Sequence, residues 1–139
     1  MTGSNFNSNN IADQGRWSAS SGKKSSLQML FQETDECYQS CSPCTPHNLF
    51  CQFYKEKYIE SIRIKLDITD DTYYPDRIKI KCGSRMVLVT VCEWTMKSTL
   101  DTWIVIPVNH NTFTLCISVT GVKNGGQDTR ISEIQIIGK

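Results

Sequence analysis

Seven residues near the end of the chain, Asn124-Gly125-Gly126-Gln127-Asp128-Thr129-Arg130, carry the groups from which a recognition loop is built. Glycine tolerates positive φ and has no Cβ, so a double-glycine loop can bring backbone N–H groups close to a ligand. Asp128 and Thr129 add an acceptor and a hydroxyl at the mouth of the strand that follows. The same residues also spell an ordinary hairpin turn. A second group is Cys37-x3-Cys41-x2-Cys44-x2-His47-x3-Cys51, five soft or borderline ligands within fifteen residues. Zinc takes four such ligands in a tetrahedron, and a Cys-x2-Cys step often supplies two of them. Only one such step is present, so these five are zinc candidates beside the plainer reading of a loop of free thiols, and no metal is assigned. Arg63 and Lys65, then Arg77, Lys79 and Lys81, alternate on two consecutive strands. If those strands pair, they form a basic stripe for an acidic partner or an anion; otherwise they are a solvated sheet face.

Catalysis has little to stand on. The two histidines are His47 in the cysteine loop and His110 between Asn109 and Asn111, in what reads as a hairpin turn. Neither has a sequence neighbour that marks it as a base. There is no Gly-x-x-x-x-Gly-Lys phosphate loop and no dinucleotide fingerprint. No enzyme activity and no cofactor are expected.

The elements that must position these groups read mostly as strand. Residues 1–13, rich in Asn and Ser, read as a mobile arm, and 14–139 as one domain. A short helix is predicted over 27–36, with Leu27, Leu30 and Phe31 on one side. Strands follow at 49–53, 58–68, 77–82, 86–92, 102–108, 112–119 and 131–137. In 58–68 the even positions Tyr58, Ile62, Ile64, Leu66 and Ile68 form the apolar face. Phe113, Leu115, Ile117 and Val119 do the same later, and Ile134 and Ile136 anchor the last strand with Gln135 facing away. Short alternating strands between turn signals, with little helix, predict an all-β antiparallel sandwich or barrel.

Composition sets the outer bounds. A chain of 139 residues with 39% apolar and 21% charged residues buries one ordinary core. A net charge of +1 gives no bulk attraction to nucleic acid or to a membrane surface. The first ten residues lack the basic head and apolar segment of a secretory signal, so a nuclear and cytoplasmic location is expected. The seven cysteines are then read as reduced thiols, several of them buried.

Several local patterns, in order, resemble the DOC domain family of β-jelly rolls. They are Trp17-Ser18-Ala19-Ser20-Ser21, Tyr38-Gln39-Ser40 with Pro46-His47 and Gln52-Phe53, and Asp71-Thr72-Tyr73-Tyr74-Pro75-Asp76-Arg77-Ile78. Trp103-Ile104-Val105-Ile106-Pro107 and Asn124-Gly125-Gly126-Gln127-Asp128-Thr129, followed by Ile134-Gln135-Ile136, complete the set. The resemblance spans roughly residues 11–138. It implies a galactose-binding-like jelly roll acting as a non-catalytic subunit of the anaphase-promoting complex, a cullin–RING ubiquitin ligase. The partners implied are the scaffold, cullin-like and tetratricopeptide-repeat subunits, a WD40 coactivator, and substrates carrying a destruction-box degron. The implied role is co-receptor for that degron, raising the processivity of ubiquitination in the cell cycle. Carried over position by position, the ligand residues would be Gln39, Ser40, Asn124, Gly126, Gln127, Asp128, Thr129 and Arg130. Three departures stand out: Cys41 where the family commonly has an acidic residue, Gln127 where it commonly has arginine, and an end at Gly138-Lys139 where members often carry an Ile-Arg tail. The alternative is a carbohydrate- or peptide-binding jelly-roll module outside a ubiquitin ligase.

Overall fold

The structure, a computed structural model, describes residues 9–31, 36–42, 44–84 and 86–139. Its strands are β1 (Arg16–Ala19), β2 (Tyr38–Gln39), β3 (His47–Lys65), β4 (Pro75–Ser84), β5 (Val87–Thr95), β6 (Trp103–Val122), β7 (Arg130–Ile131) and β8 (Glu133–Gly138). Every pairing is antiparallel. The two long strands β3 and β6 pair along nearly their whole length and bend across the molecule. Their ladder first lies in a face ordered β1-β3-β6-β4-β5 and then, past the bend, in a face where β8 flanks β3. The expected antiparallel jelly-roll sandwich is the one observed.

Alternation builds the core between the faces. His47, Leu49, Cys51 and Phe53 point inward from β3, and Ile78, Ile80 and Cys82 from β4. Ile134 and Ile136 are fully buried from β8, as the last strand's pattern requires. Burying each such Ile or Leu contributes about 1.5–3 kcal/mol relative to exposure.

Several expectations change. Residues 102–108 and 112–119 are one strand, β6, and 49–53 and 58–65 are one strand, β3. Asn109, at φ 52, turns β6 without breaking it, and irregular pairing between Gln52 and Lys57 bends β3 alongside. His110 therefore lies in a strand, paired with Ile59, and donates from Nδ1 to the Val108 carbonyl at 2.8 Å. A register shift between Ile59 and Ser61 changes which parity faces inward, so Ile59 is buried and Tyr58 only half-buried. Ile68 and Phe113 are exposed as well: Ile68 lies past the end of β3, and Phe113 lies at the irregular pairing opposite Gln52 to Lys57.

The basic stripe does not form. β6 lies between β3 and β4, with Arg63 and Lys65 against Val105 and Trp103 at one end of it and Lys79 and Lys81 against Ser118 and Cys116 near the other. The helix is one turn at Lys24–Leu27 followed by a 3-10 turn at Gln28–Phe31, starting earlier than expected. Leu27 and Leu30 are buried from it, Phe31 packs on Trp17, and residues 32–35 of the expected helix lie outside the described residues. Of the expected arm, residues 1–8 also lie outside them. Residues 10–12 join the fold: the Ile11 amide donates to the Ile136 carbonyl at 2.8 Å, and Ile11 and Ala12 are buried.

Candidate functional site

One end of the sandwich gathers the chain between β1 and the first helical turn, the chain around β2, the 66–74 connection and the loop 123–130. Local chemistry shapes each of them. Asp67 accepts from the amide and hydroxyl of Thr69, and Asp70 from those of Thr72, so two consecutive Asx turns fold the 66–74 connection. After β6, Asn124 at φ 57 and Gly125 at φ 73 take left-handed conformations that reverse the chain. A Cβ on Gly126 would sit 2.9 Å from both the Thr72 carbonyl oxygen and Val122 Cγ1, so this glycine lets the loop lie against the Asx turns.

The early and late segments then meet. β2 and β7 form a two-residue ladder, Tyr38 opposite Ile131 and Gln39 opposite Arg130. Beyond it, the Ser40 hydroxyl donates to Asp128 Oδ1 at 2.7 Å and accepts from the Thr129 amide at 3.0 Å. The Ser40 amide donates to the Thr129 carbonyl at 3.1 Å, and the Ser42 amide adds a second bond to Asp128 Oδ1 at 3.1 Å. Thr129 Oγ1 donates to the Tyr73 carbonyl at 3.0 Å. Ser40 and Thr129 are buried, so both work inside the protein.

Arg130 is equally committed. Its Nε donates to Gln39 Oε1 at 2.8 Å, its guanidinium lies 3.8 Å over the Tyr73 ring, and Asp70 and Asp67 approach it at 3.7 and 4.0 Å. The Asp67 carboxyl is held below its ordinary value, chiefly by the Thr69 hydroxyl, with help from backbone amides and Arg130 against the opposing cost of burial. What remains outward is the tip: Asn124, Gly125 and Gln127 are exposed, and Asp128 is 23% exposed. Beside it opens a groove of about 690 Å³ lined by Ser21, Lys23, Ser26, Gln39 and Cys41 among others. The structure thus brings together all eight residues expected at the site. It divides them into a buried brace (Ser40, Thr129), a half-buried frame (Asp128, Arg130, Gly126) and exposed groups (Gln39, Asn124, Gln127).

His47 was a zinc candidate and has another task. Buried at the start of β3, it donates from Nε2 to the Gln127 carbonyl at 2.5 Å and lies 4.0 Å from Asp128 Oδ1. A carbonyl only accepts, which places a proton on Nε2; Nδ1 is buried without a hydrogen-bond partner among the described residues. Cys51 follows His47 four positions later on the same inward face, about 13 Å along the strand, under Gly15. Cys41 and Cys44 are exposed on the loop. Among the described residues no three of His, Cys, Asp and Glu are grouped as metal ligands. His47, Tyr73, Asp67 and Asp70 are the site residues that sequence reasoning did not place there. Asp-x-Thr at 67–69 and again at 70–72 was the legible signal for the last two.

The sequence profile of the family described as "Anaphase-promoting complex, subunit 10 (APC10)" matches residues 2–139. The chain belongs to this family. A subunit 10 family relative, anaphase-promoting complex subunit 10 of Dictyostelium discoideum, is 29% identical over 136 residues, 93% of this chain and 72% of that protein. Solved structures add the fold. The family 32 carbohydrate-binding module of Clostridium perfringens NanJ, in complex with galactose, aligns with a TM-score of 0.76 at 15% identity over 92% of this chain and 97% of that one. The third such module of a family 31 glycoside hydrolase from Clostridium perfringens gives 0.79 at 13% identity over 100% and 99%. At such identities the likeness establishes the galactose-binding-like jelly roll alone, and within the subunit 10 family this chain keeps that scaffold.

Proposed function

We propose that the chain is a non-catalytic subunit of the anaphase-promoting complex that acts as co-receptor for the destruction-box degron. It works beside a WD40 coactivator, in the nucleus and cytoplasm, and raises the processivity of ubiquitination. The folded body docks among the scaffold, cullin-like and tetratricopeptide-repeat subunits. Family membership supports the assembly. The observation that carries the recognition role is the tip with Asn124, Gly125 and Gln127 exposed, mounted on a base whose polar groups bond to one another.

The physics suits a helper rather than a sole receptor. Two or three exposed hydrogen bonds, each about 1 kcal/mol net, hold a peptide weakly. Once a coactivator grips the substrate, the local concentration reaches roughly millimolar, and a weak second contact lengthens residence. A sugar platform needs an open aromatic face; Tyr73 at this end has its face covered by Arg130.

The test uses Asn124→Gly with Gln127→Ala, which remove two exposed amide side chains while glycine keeps the positive φ at 124. In an assembled ligase carrying this double variant, residence of a destruction-box substrate should shorten about fivefold for each hydrogen bond lost. Unchanged residence and processivity would count against the reading.

A further inference from the structure

Cys41-Ser42-Pro43-Cys44 is a Cys-x-x-Cys step whose two cysteines are both exposed, on the loop that braces Asp128. The backbone here is already tied on both sides. The Cys41 amide donates to Ser21 Oγ at 3.0 Å and the Ser42 amide to Asp128 Oδ1 at 3.1 Å. The Ser42 hydroxyl donates forward to the Cys44 carbonyl at 3.2 Å, a direct tie from beside one cysteine to the other. We propose that Cys41 and Cys44 are a redox-modification site, converted by a small-molecule disulfide such as glutathione disulfide into an intrachain disulfide that tightens this loop against Asp128.

The step balances as thiol–disulfide exchange. The thiolate of one cysteine attacks a sulfur of the small disulfide, forming a mixed disulfide and releasing one small thiolate. The second cysteine's thiolate attacks the protein sulfur of that bond, forming Cys41–Cys44 and releasing the second. The protein is oxidised by two electrons, the small disulfide is reduced by two, and the two thiol protons pass through solvent to the leaving thiolates.

The other five cysteines are set against this chemistry. Cys51, Cys82 and Cys116 are buried, and Cys37 and Cys92 are half-buried. Burial pushes all five thiols up, so the attacking thiolate is scarce there. The functional consequence of the switch rests on the degron reading above: a stiffer 40–42 segment fixes Asp128, and with it the base of the exposed tip.

The experiment equilibrates the full chain in glutathione buffers from reduced to oxidised, traps thiols by alkylation and maps them by peptide mass spectrometry. A Cys41–Cys44 linked peptide should form in the folded protein while Cys51, Cys82 and Cys116 stay protected from alkylation until unfolding, and Cys41→Ser or Cys44→Ser should each abolish the link. Cys41 joined to Cys37, or only separate glutathione adducts on Cys41 and Cys44, would overturn the proposal. Hydrogen exchange at the Ser42 and Thr129 amides should slow on the order of tenfold on oxidation of the parent and not of Cys41→Ser; equal exchange would overturn the coupling. Substrate residence on the assembled ligase separates the two readings. A disulfide that forms and slows exchange, with residence unmoved by redox, defeats the functional consequence and leaves the modification site standing, whereas residence unmoved by Asn124→Gly with Gln127→Ala defeats the degron reading.

Discussion

The Oδ1 atom of Asp128 accepts from both the Ser40 hydroxyl and the Ser42 amide, so truncating it unpairs two groups at once. Asp128→Ala should therefore cost about 1–3 kcal/mol in urea unfolding, and its effect on substrate residence would mix loosening with any lost contact. The residue types at 128–130 were legible as polar and mouth-facing. Their partners were not, because Ser40 and Asp128 lie 88 residues apart and meet only through the β2–β7 ladder. Asp67 gives a second prediction at this scale. Its folded-state value is depressed, so its contribution is present above the ordinary 3.8 and is lost as pH falls through the lower folded value. The stability difference between the parent and Asp67→Asn, followed by denaturant titration, should be level near neutral pH and shrink as pH falls below about 3.8.

At the scale of elements, the 123–130 loop is set by fit as much as by hydrogen bonds. A Cβ at Gly126 would meet the Thr72 backbone carbonyl at 2.9 Å, and backbone cannot swing aside as a side-chain tip can. Gly126→Ala should cost about 1–3 kcal/mol and displace the loop from the Asx turns, visible as amide shift changes at Thr72 and Tyr73. Gly125 has open space around its missing Cβ but a φ of 73. Gly125→Asn should be nearly neutral by thermal melting, and Gly125→Ala should cost about 1 kcal/mol. Strand identity at this scale was legible from period-two alternation, as in Ile62, Ile64 and Leu66 or Ile134 and Ile136. The continuity of β3 and β6 through their bends was not, since a bulge and one left-handed asparagine look locally like a strand end.

For the whole molecule, the buried cysteines couple the core to alkaline pH. Burial pushes the Cys82 and Cys116 thiols up to about 11 from the ordinary 9.0. The neutral thiols are favoured in the fold, so their contribution is fully present below 9.0 and is lost as pH rises toward 11. A Cys82→Ala, Cys116→Ala double variant should be less stable at neutral pH, through lost packing, yet show a shallower decline across that window in denaturant titrations. A decline as steep as the parent's would show that other groups carry the alkaline limb.

The sequence by itself determined the all-β class, the inward face of most strands and the polar loop before the last strand. Those follow from side-chain period and turn chemistry, which act over a few residues. The tertiary structure alone decided which strands are neighbours. By laying β6 between β3 and β4 it dispersed the basic residues that looked like a stripe, and by turning His47 toward Gln127 and Cys51 into the core it separated the cysteine-loop ligands. Neighbours in a jelly roll are chosen by long-range pairing, where burial of whole faces outweighs any local pattern, and a linear sequence carries that choice only in the sum of its apolar positions.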